Sequence, residues 1–214
     1  LGVHTILEVL RENKRVKMIQ ISTDEVFGDI KTGTFYENDR LNPSNPYSAT
    51  KAAAEMLVKS YIRTYDLDIT TTRCVNNYGP RQFPEKFIPK IILCALFNKS
   101  IPIHGDGKAR RQWIYVTDHC NAIWKIIQNS SFGHVYNIPG NYEIDNLSLA
   151  KKILSLMDKK EDLLTFVSER PGHDIRYAIS SKIIKKNLNF SPEIKFSEGI
   201  QNTINWYLEN STWW

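Results

Sequence analysis

Short apolar runs at 16–22 and 69–74 stand on either side of a helical stretch at 47–65, and this order of strand, helix and strand restricts the fold more than any other feature of the chain. Two strands joined through a helix run parallel, close through a right-handed crossover and need cover on both faces of their sheet. The expectation is an α/β fold. The helix is well marked. Ser44, Asn45 and Pro46 offer capping side chains and a proline suited to the first helical position, and Met56, Leu57, Val58, Tyr61 and Ile62 follow an alanine-rich stretch.

The same alternation continues. A helix at 1–13 carries Val3, Ile6, Leu7, Val9 and Leu10. Beyond 76–80, a loop rich in proline and aromatics leads to a helix at 88–97, a strand at 101–104, a polar turn at 105–107, a strand at 112–116 and a helix at 117–128. A strand at 135–138, a helix at 145–157, a loop at 170–174, a short helix capped by Ser180 and Ser181, and a last helix at 197–208 complete the chain. The pattern predicts the later strands of a nucleotide-binding sheet interleaved with a smaller α/β lobe. Residues 1–80 are expected in the first and residues 81–214 mainly in the second, with segments returning to the sheet.

Composition narrows the function classes. With 42% hydrophobic and 24% charged residues over 214 positions, the chain can bury a core and is not disordered. Its net charge of +5 is dispersed, which reads as a solvated surface rather than a nucleic-acid footprint. Cys74, Cys94 and Cys120 lack metal-ligand spacing, as do His104 and His119, so no metal is expected and the thiols read as reduced core residues. No signal peptide and no long apolar run appear, which points to the cytoplasm and to no membrane span. Trp113, Trp124 and Trp206 read as core residues.

The chemistry-bearing residues fall at two places. Tyr47 and Lys51 lie four apart just inside a helix start and share a face. An ammonium beside a phenol favours the phenolate, so Tyr47 is expected to titrate below its usual value near 10 and to act as a base on an alcohol. Thr23, Asp24 and Glu25 lie at the carboxyl end of the first strand, where parallel sheets bind ligands. Two neighbouring carboxyls can divide acid and base work because repulsion and unequal burial separate their protonation. No glycine-rich phosphate loop follows any strand, so the chain is expected to start beyond that turn of a dinucleotide fold.

Five strings, ISTDEVFGD at 21–29, NPYSATKAAAEMLV at 45–58, RCVNNYGPRQFPEKFIP at 73–89, PIHGDGKARRQWIYVTDH at 102–119 and ERPGHDIRYAI at 169–179, resemble the dTDP-glucose 4,6-dehydratases of the extended short-chain dehydrogenase/reductases. The resemblance implies a partial Rossmann-like parallel sheet with an interleaved substrate lobe, tightly held NAD, and conversion of dTDP-glucose to its 4-keto-6-deoxy form. It implies Tyr47 as the base at carbon 4, Lys51 as its support and a ribose contact, Thr23 as a hydrogen-bond donor to the same sugar oxygen, Glu25 as the base at carbon 5 and Asp24 as the acid at carbon 6. Asn77 would contact the nicotinamide side and Asn76 the sugar or its phosphate. Lys86, Phe87, Ile88, Pro89, Lys90 and Ile91, with Pro102, Ile103 and His104, would line the nucleotide pocket, partly through backbone.

Arg111 and Arg170 suit a diphosphate, a guanidinium being a planar donor fork for phosphate oxygens. Pro171, Gly172, His173 and Asp174 would complete the substrate lobe, with Tyr177 a further candidate; His173 reads equally as a structural histidine. Asn146 reads as a substrate contact, a helix cap or both. The family also implies a homodimer through a four-helix bundle, two helices from each subunit. Phe27, Val75 and Gln112 stand where the family shows Tyr, Ser and Asp. A UDP-glucose dehydratase, a 4-epimerase, or a truncated dimeric binding protein without catalysis remain the alternatives.

Overall fold

A computed structural model describes residues 2–128, 132–172 and 174–214, so Leu1 of the first expected helix and His173 lie outside the described residues. In chain order the elements are α1 (Gly2–Glu12), β1 (Met18–Thr23), a 3-10 turn (Asp24–Phe27), α2 (Pro46–Tyr65), β2 (Ile69–Cys74), β3 (Asn76–Tyr78), α3 (Phe87–Leu96), β4 (Ile101–His104), β5 (Arg110–Tyr115), α4 (Val116–Gln128), β6 (Val135–Ile138), β7 (Tyr142–Asp145), α5 (Asn146–Leu156), a 3-10 turn (Glu161–Leu163), β8 (Leu164–Val167), α6 (Lys182–Leu188) and α7 (Phe196–Glu209). The chain is α/β, and it divides into two compact units.

The first unit takes Leu1–Val75, Asn121–Pro139 and Tyr177–Ser191. Its sheet is parallel throughout, in the order β1-β2-β6, with Thr23 opposite Cys74 and Arg73 opposite Asn137. Helices α1 and α2 pack together through Leu7, Leu10, Val58 and Tyr61, joined by Leu67 and Ile69 below them. Each such side chain taken out of water contributes about 1.5–3 kcal/mol. Helix α2 starts where capping chemistry says it should. Asn45 Oδ1 accepts from the Ser48 amide at 2.9 Å and Ser48 Oγ accepts from the Asn45 amide at 3.3 Å, a closed capping box, with Pro46 following.

The second unit takes Asn76–Cys120, Gly140–Arg176 and Pro192–Trp214. Strand β5 lies between β3, which runs parallel to it, and β7, which runs antiparallel; β4 and β8 form a separate parallel pair. The core is made by Ile88, Ile91, Ile92 and Ala95 of α3, Leu149, Ala150, Ile153 and Leu154 of α5, and Phe196, Ile200, Ile204 and Tyr207 of α7, with Tyr78, Ile101, Ile103, Trp113 and Tyr115 from the strands.

Several expectations are corrected. Strand β3 is additional to the expected elements, because Asn76–Tyr78 pairs with Trp113–Tyr115. Strands β7 and β8 are additional; four residues each, neither fully buried, they are too short to show a period of two. Trp124 is 57% exposed and is not core, whereas Trp113 is buried. Cys120 is exposed, Cys74 and Cys94 are half-buried, and all three are free thiols. Among the described residues no helix is long and apolar enough to cross a membrane, and no cluster of His, Cys, Asp and Glu could hold a metal ion.

Candidate active site

In the first unit, β1 delivers Thr23 as its last residue, and the chain turns at once into the 3-10 turn that carries Asp24 and Glu25. Thr23 is that turn's cap: its Oγ1 accepts from the Glu25 amide at 3.3 Å and donates to Asp24 Oδ1 at 3.2 Å. Asp24 is buried and Glu25 is half-buried. Gly28 closes the turn at φ +77°, and a Cβ there would lie 2.3 Å from the Asn42 carbonyl oxygen, so only glycine fits without displacement.

Helix α2 brings the second set. Tyr47 is 55% exposed. Its phenol is hydrogen-bonded to the Thr23 side chain and feels the charges of Glu25, Cys74 and Asp24. Lys51 Nζ, one turn further on, donates to the Ile21 carbonyl at 2.7 Å. Asn45 Nδ2 donates to Glu25 Oε2 at 3.4 Å, tying the helix cap to the carboxylate. Thr23, Asp24, Glu25 and Tyr47 therefore form one constellation, with Lys51 of α2 bonded to β1 at the Ile21 carbonyl.

The electrostatics correct one expectation. Tyr47 titrates above, not below, its ordinary value: burial raises it most, followed by Glu25, Cys74 and Asp24, and only the Thr23 hydrogen bond pulls it down. Lys51 does not feature among the causes, consistent with its ammonium being turned to the Ile21 carbonyl.

In the second unit, Asn76 and Asn77 lie half-buried on β3, and the Asn77 carbonyl accepts from Gln82 Nε2 at 2.9 Å. Lys86 is exposed beside Glu85, Phe87 is half-buried and Lys90 is exposed. The side chains of Ile88, Ile91 and Ile103 are in the core, so these three can offer a ligand only backbone; Pro89 is buried as well. Pro102 and His104 are half-buried on β4. His104 Nε2 accepts from Arg170 Nε at 2.9 Å, and its Nδ1 lies 3.0 Å from the Ser168 carbonyl. Arg170, Pro171 and Gly172 are exposed, whereas Asp174 is buried.

Arg111 is buried, with Nη1 donating to the Arg110 carbonyl at 2.7 Å and Nη2 to the Asp174 carbonyl at 2.8 Å. Its neighbour Arg110 ion-pairs with Glu143 at 2.7 Å. Asn146 does not cap α5; Asp145 does, accepting the Ser148 amide at 2.8 Å. Tyr177 is buried in the first unit.

Three residues that meet beside the carboxyl turn, Phe27, Glu55 and Arg73, received no site role from the sequence. Arg73 Nη2 lies 2.6 Å from Glu55 Oε2, both side chains buried, and its guanidinium sits 4.6 Å from the Phe27 ring. The available signal was an arginine inside a strand, ITTTRC, that the alternation expects to be covered on both faces.

Comparison with known proteins places the chain in a family. Residues 1–203 match the family model described as GDP-mannose 4,6 dehydratase. A dTDP-glucose 4,6-dehydratase of Streptomyces niveus is 40% identical over 214 residues, covering 100% of this chain and 64% of that protein. A crystal structure of dTDP-glucose 4,6-dehydratase from Bacillus anthracis str. Ames in complex with NAD is 42% identical with a TM-score of 0.96, covering 100% of this chain and 68% of that one. A dTDP-glucose 4,6-dehydratase from Streptomyces venezuelae, solved with NAD bound, is 36% identical with a TM-score of 0.97, covering 100% and 66%. This chain thus spans a little under two thirds of the Streptomyces niveus relative's length. It belongs to the family described as GDP-mannose 4,6 dehydratase, and it is similar there to proteins named dTDP-glucose 4,6-dehydratase.

Proposed function

We propose that the chain carries the catalytic groups of an NAD-dependent dTDP-glucose 4,6-dehydratase. The observation that carries this reading is the meeting of Tyr47 with Thr23, Asp24 and Glu25. An epimerase needs a proton carrier at carbon 4 alone, whereas loss of water across carbons 5 and 6 needs a base and an acid as well, and all of these groups are together in one unit. The names of the relatives support the same substrate.

The donor set of Tyr47 and Lys51, an O–H and an N–H on successive turns of α2, fits the hydroxyls of a ribose. NAD, if held by these residues, would supply an acceptor for the hydrogen leaving carbon 4 and a donor for its return at carbon 6. Tyr47 takes the proton of the carbon 4 hydroxyl as that carbon becomes a ketone, with Thr23 hydrogen-bonded to the same oxygen. The ketone acidifies the proton at carbon 5, which Glu25 removes. Asp24 gives its proton to the carbon 6 hydroxyl, which departs as water and leaves a carbon 5–carbon 6 double bond. Reduction at carbon 6 and return of the proton to carbon 5 give the 4-keto-6-deoxy sugar. Because burial, and after it the charges of Glu25, Cys74 and Asp24, raise the proton affinity of Tyr47, a cation brought beside the phenol would favour the phenolate, and Lys51, one turn along α2, is the residue that would supply it.

For the nucleotide sugar, Asn76, Arg111, Asn146 and Arg170 would be the polar contacts, with Asp174 and backbone of 86–91, 102–104 and 171–172 as further ones. The assembly is a homodimer. Ile6 and Val9 of α1 and Met56 and Leu57 of α2 are exposed on the two helices that pack together, which supports a four-helix bundle between two copies. The three free thiols suit the cytoplasm. Incubation with dTDP-glucose and NAD, followed by NMR of the product, tests the reading. A 4-keto-6-deoxy sugar is expected; a carbon 4 epimer, or failure of a folded sample to bind either molecule, would overturn it, and preference for UDP-glucose would move the substrate.

A further inference from the structure

The carboxyl pair is useful only if the turn that bears it is fixed relative to Tyr47, and an exposed phenol at a helix start does not fix a turn on another element. The turn is held from behind. Phe27, its last residue, is buried in contact with two flat groups, the Phe35 ring stacked at 4.8 Å and 10° and the Arg73 guanidinium 4.6 Å from its ring centroid. Arg73 in turn cannot wander. Its Nε lies 3.1 and 3.0 Å from the two Glu55 carboxylate oxygens, its Nη2 is 2.6 Å from Oε2, and its Nη1 donates to the Glu37 carbonyl at 2.9 Å. Glu55 belongs to α2, two turns along from Tyr47.

We propose that Arg73, clamped by Glu55, is a positioning residue of the active site: it pins Phe27, and through it the Asp24–Glu25 turn, to the helix that carries Tyr47. The proposal rests on the dehydratase reading for its catalytic consequence. The charge arrangement supports it. A guanidinium paired bidentately with one carboxylate is a planar, oriented surface, and a planar cation over a ring face is attracted by its quadrupole. Lysine offers neither the fork nor the plane. Replacement of Arg73 by lysine therefore keeps the charge and loses the pin.

Two variants test it, because removing one partner of a buried ion pair also weakens the fold. In Arg73→Lys and, separately, Phe27→Leu, kcat is expected to fall by about 10²-fold while KM for dTDP-glucose stays within about twofold, the cost of a displacement on the order of 1 Å among reacting groups. A second readout needs no turnover. Tyr47 faces Glu25, Asp24, Cys74 and Thr23, with Lys51 one turn along, so its phenol titration, followed by NMR of the labelled tyrosine, reports where the turn sits. In both variants it is expected to move down toward 10.0, whereas in Phe27→Tyr, which keeps the ring, it is expected to stay where the native protein has it. An unchanged Tyr47 titration in a folded variant overturns the proposal, as does a loss of activity that follows only the fraction unfolded. If the native protein makes no deoxysugar, the dehydratase reading fails, and the titration still decides the positioning role.

Discussion

Asn45 Nδ2 lies 3.4 Å from Glu25 Oε2, so the residue that caps the helix of Tyr47 also holds the carboxylate that faces it. One side chain thus serves helix start and site geometry together. Asn45→Ala is expected to cost about 1 kcal/mol of stability through the lost cap, and to lower kcat beyond what that loss explains. A denaturant titration beside a rate measurement separates the two effects.

Tyr47→Phe removes one oxygen from a side chain that is more than half exposed. Stability should stay within about 0.5 kcal/mol of the native protein, as for other surface positions. Turnover should fall by about 10²–10⁴-fold, the usual worth of a positioned proton carrier. Thermal unfolding and product formation measured on one preparation check this pair of outcomes.

The buried pair of Arg73 and Glu55 makes a different signature. Glu55→Ala leaves a guanidinium buried without its carboxylate and should cost about 3–5 kcal/mol. Replacing both, as Glu55→Leu with Arg73→Met, should recover most of that stability without recovering activity, because a packed apolar pair cannot pin Phe27. Equal recovery of both would show the pair to be structural only.

Two carboxyls should move stability in opposite directions with pH. Burial raises Glu37 above the ordinary 4.5, so the folded state holds that proton more tightly than the unfolded chain; this stability is full below about 4.5 and is lost as pH rises through the folded value. Glu37→Gln is therefore expected to be more stable than the native protein at neutral pH and to lose that advantage in acid. Glu143 is lowered, first by the Arg176 hydrogen bond, so its contribution is present above 4.5 and is lost as pH falls through the folded value. Glu143→Gln should destabilise at neutral pH and be nearly silent in strong acid. Unfolding curves across pH check both.

Gly28→Ala tests the end of the carboxyl turn. At φ +77°, with the Asn42 carbonyl 2.3 Å from the added Cβ, alanine should cost more than about 1 kcal/mol and displace Glu25. Loss of activity should accompany the fall in unfolding midpoint.

How much of this was legible in the sequence depended on range. The α2 start could be read because Asn45, Pro46 and Ser48 act locally, and β2 and β6 could be read because they are covered apolar or threonine-rich runs between clear breaks. Strand β3 could not, since Asn76, Asn77 and Tyr78 become a strand only through the partner at 113–115. In the site, the Tyr47 and Lys51 spacing and the Thr23 to Glu25 triplet were visible, but the direction of the Tyr47 titration was not. It depends first on burial, then on carboxyls twenty and more positions away, with the lysine turned to the Ile21 carbonyl. Arg73, Glu55 and Phe27 are distant in sequence and meet only in the folded chain.

The most direct measurement follows hydrogen through the reaction. With dTDP-glucose deuterated at carbon 4 in ordinary water, the account predicts a product whose carbon 6 methyl carries the label. In deuterated water with unlabelled sugar, it predicts one solvent deuteron at carbon 5, placed there by Glu25. Label retained at carbon 4 of an epimerised sugar, with nothing exchanged at carbon 5, would contradict it.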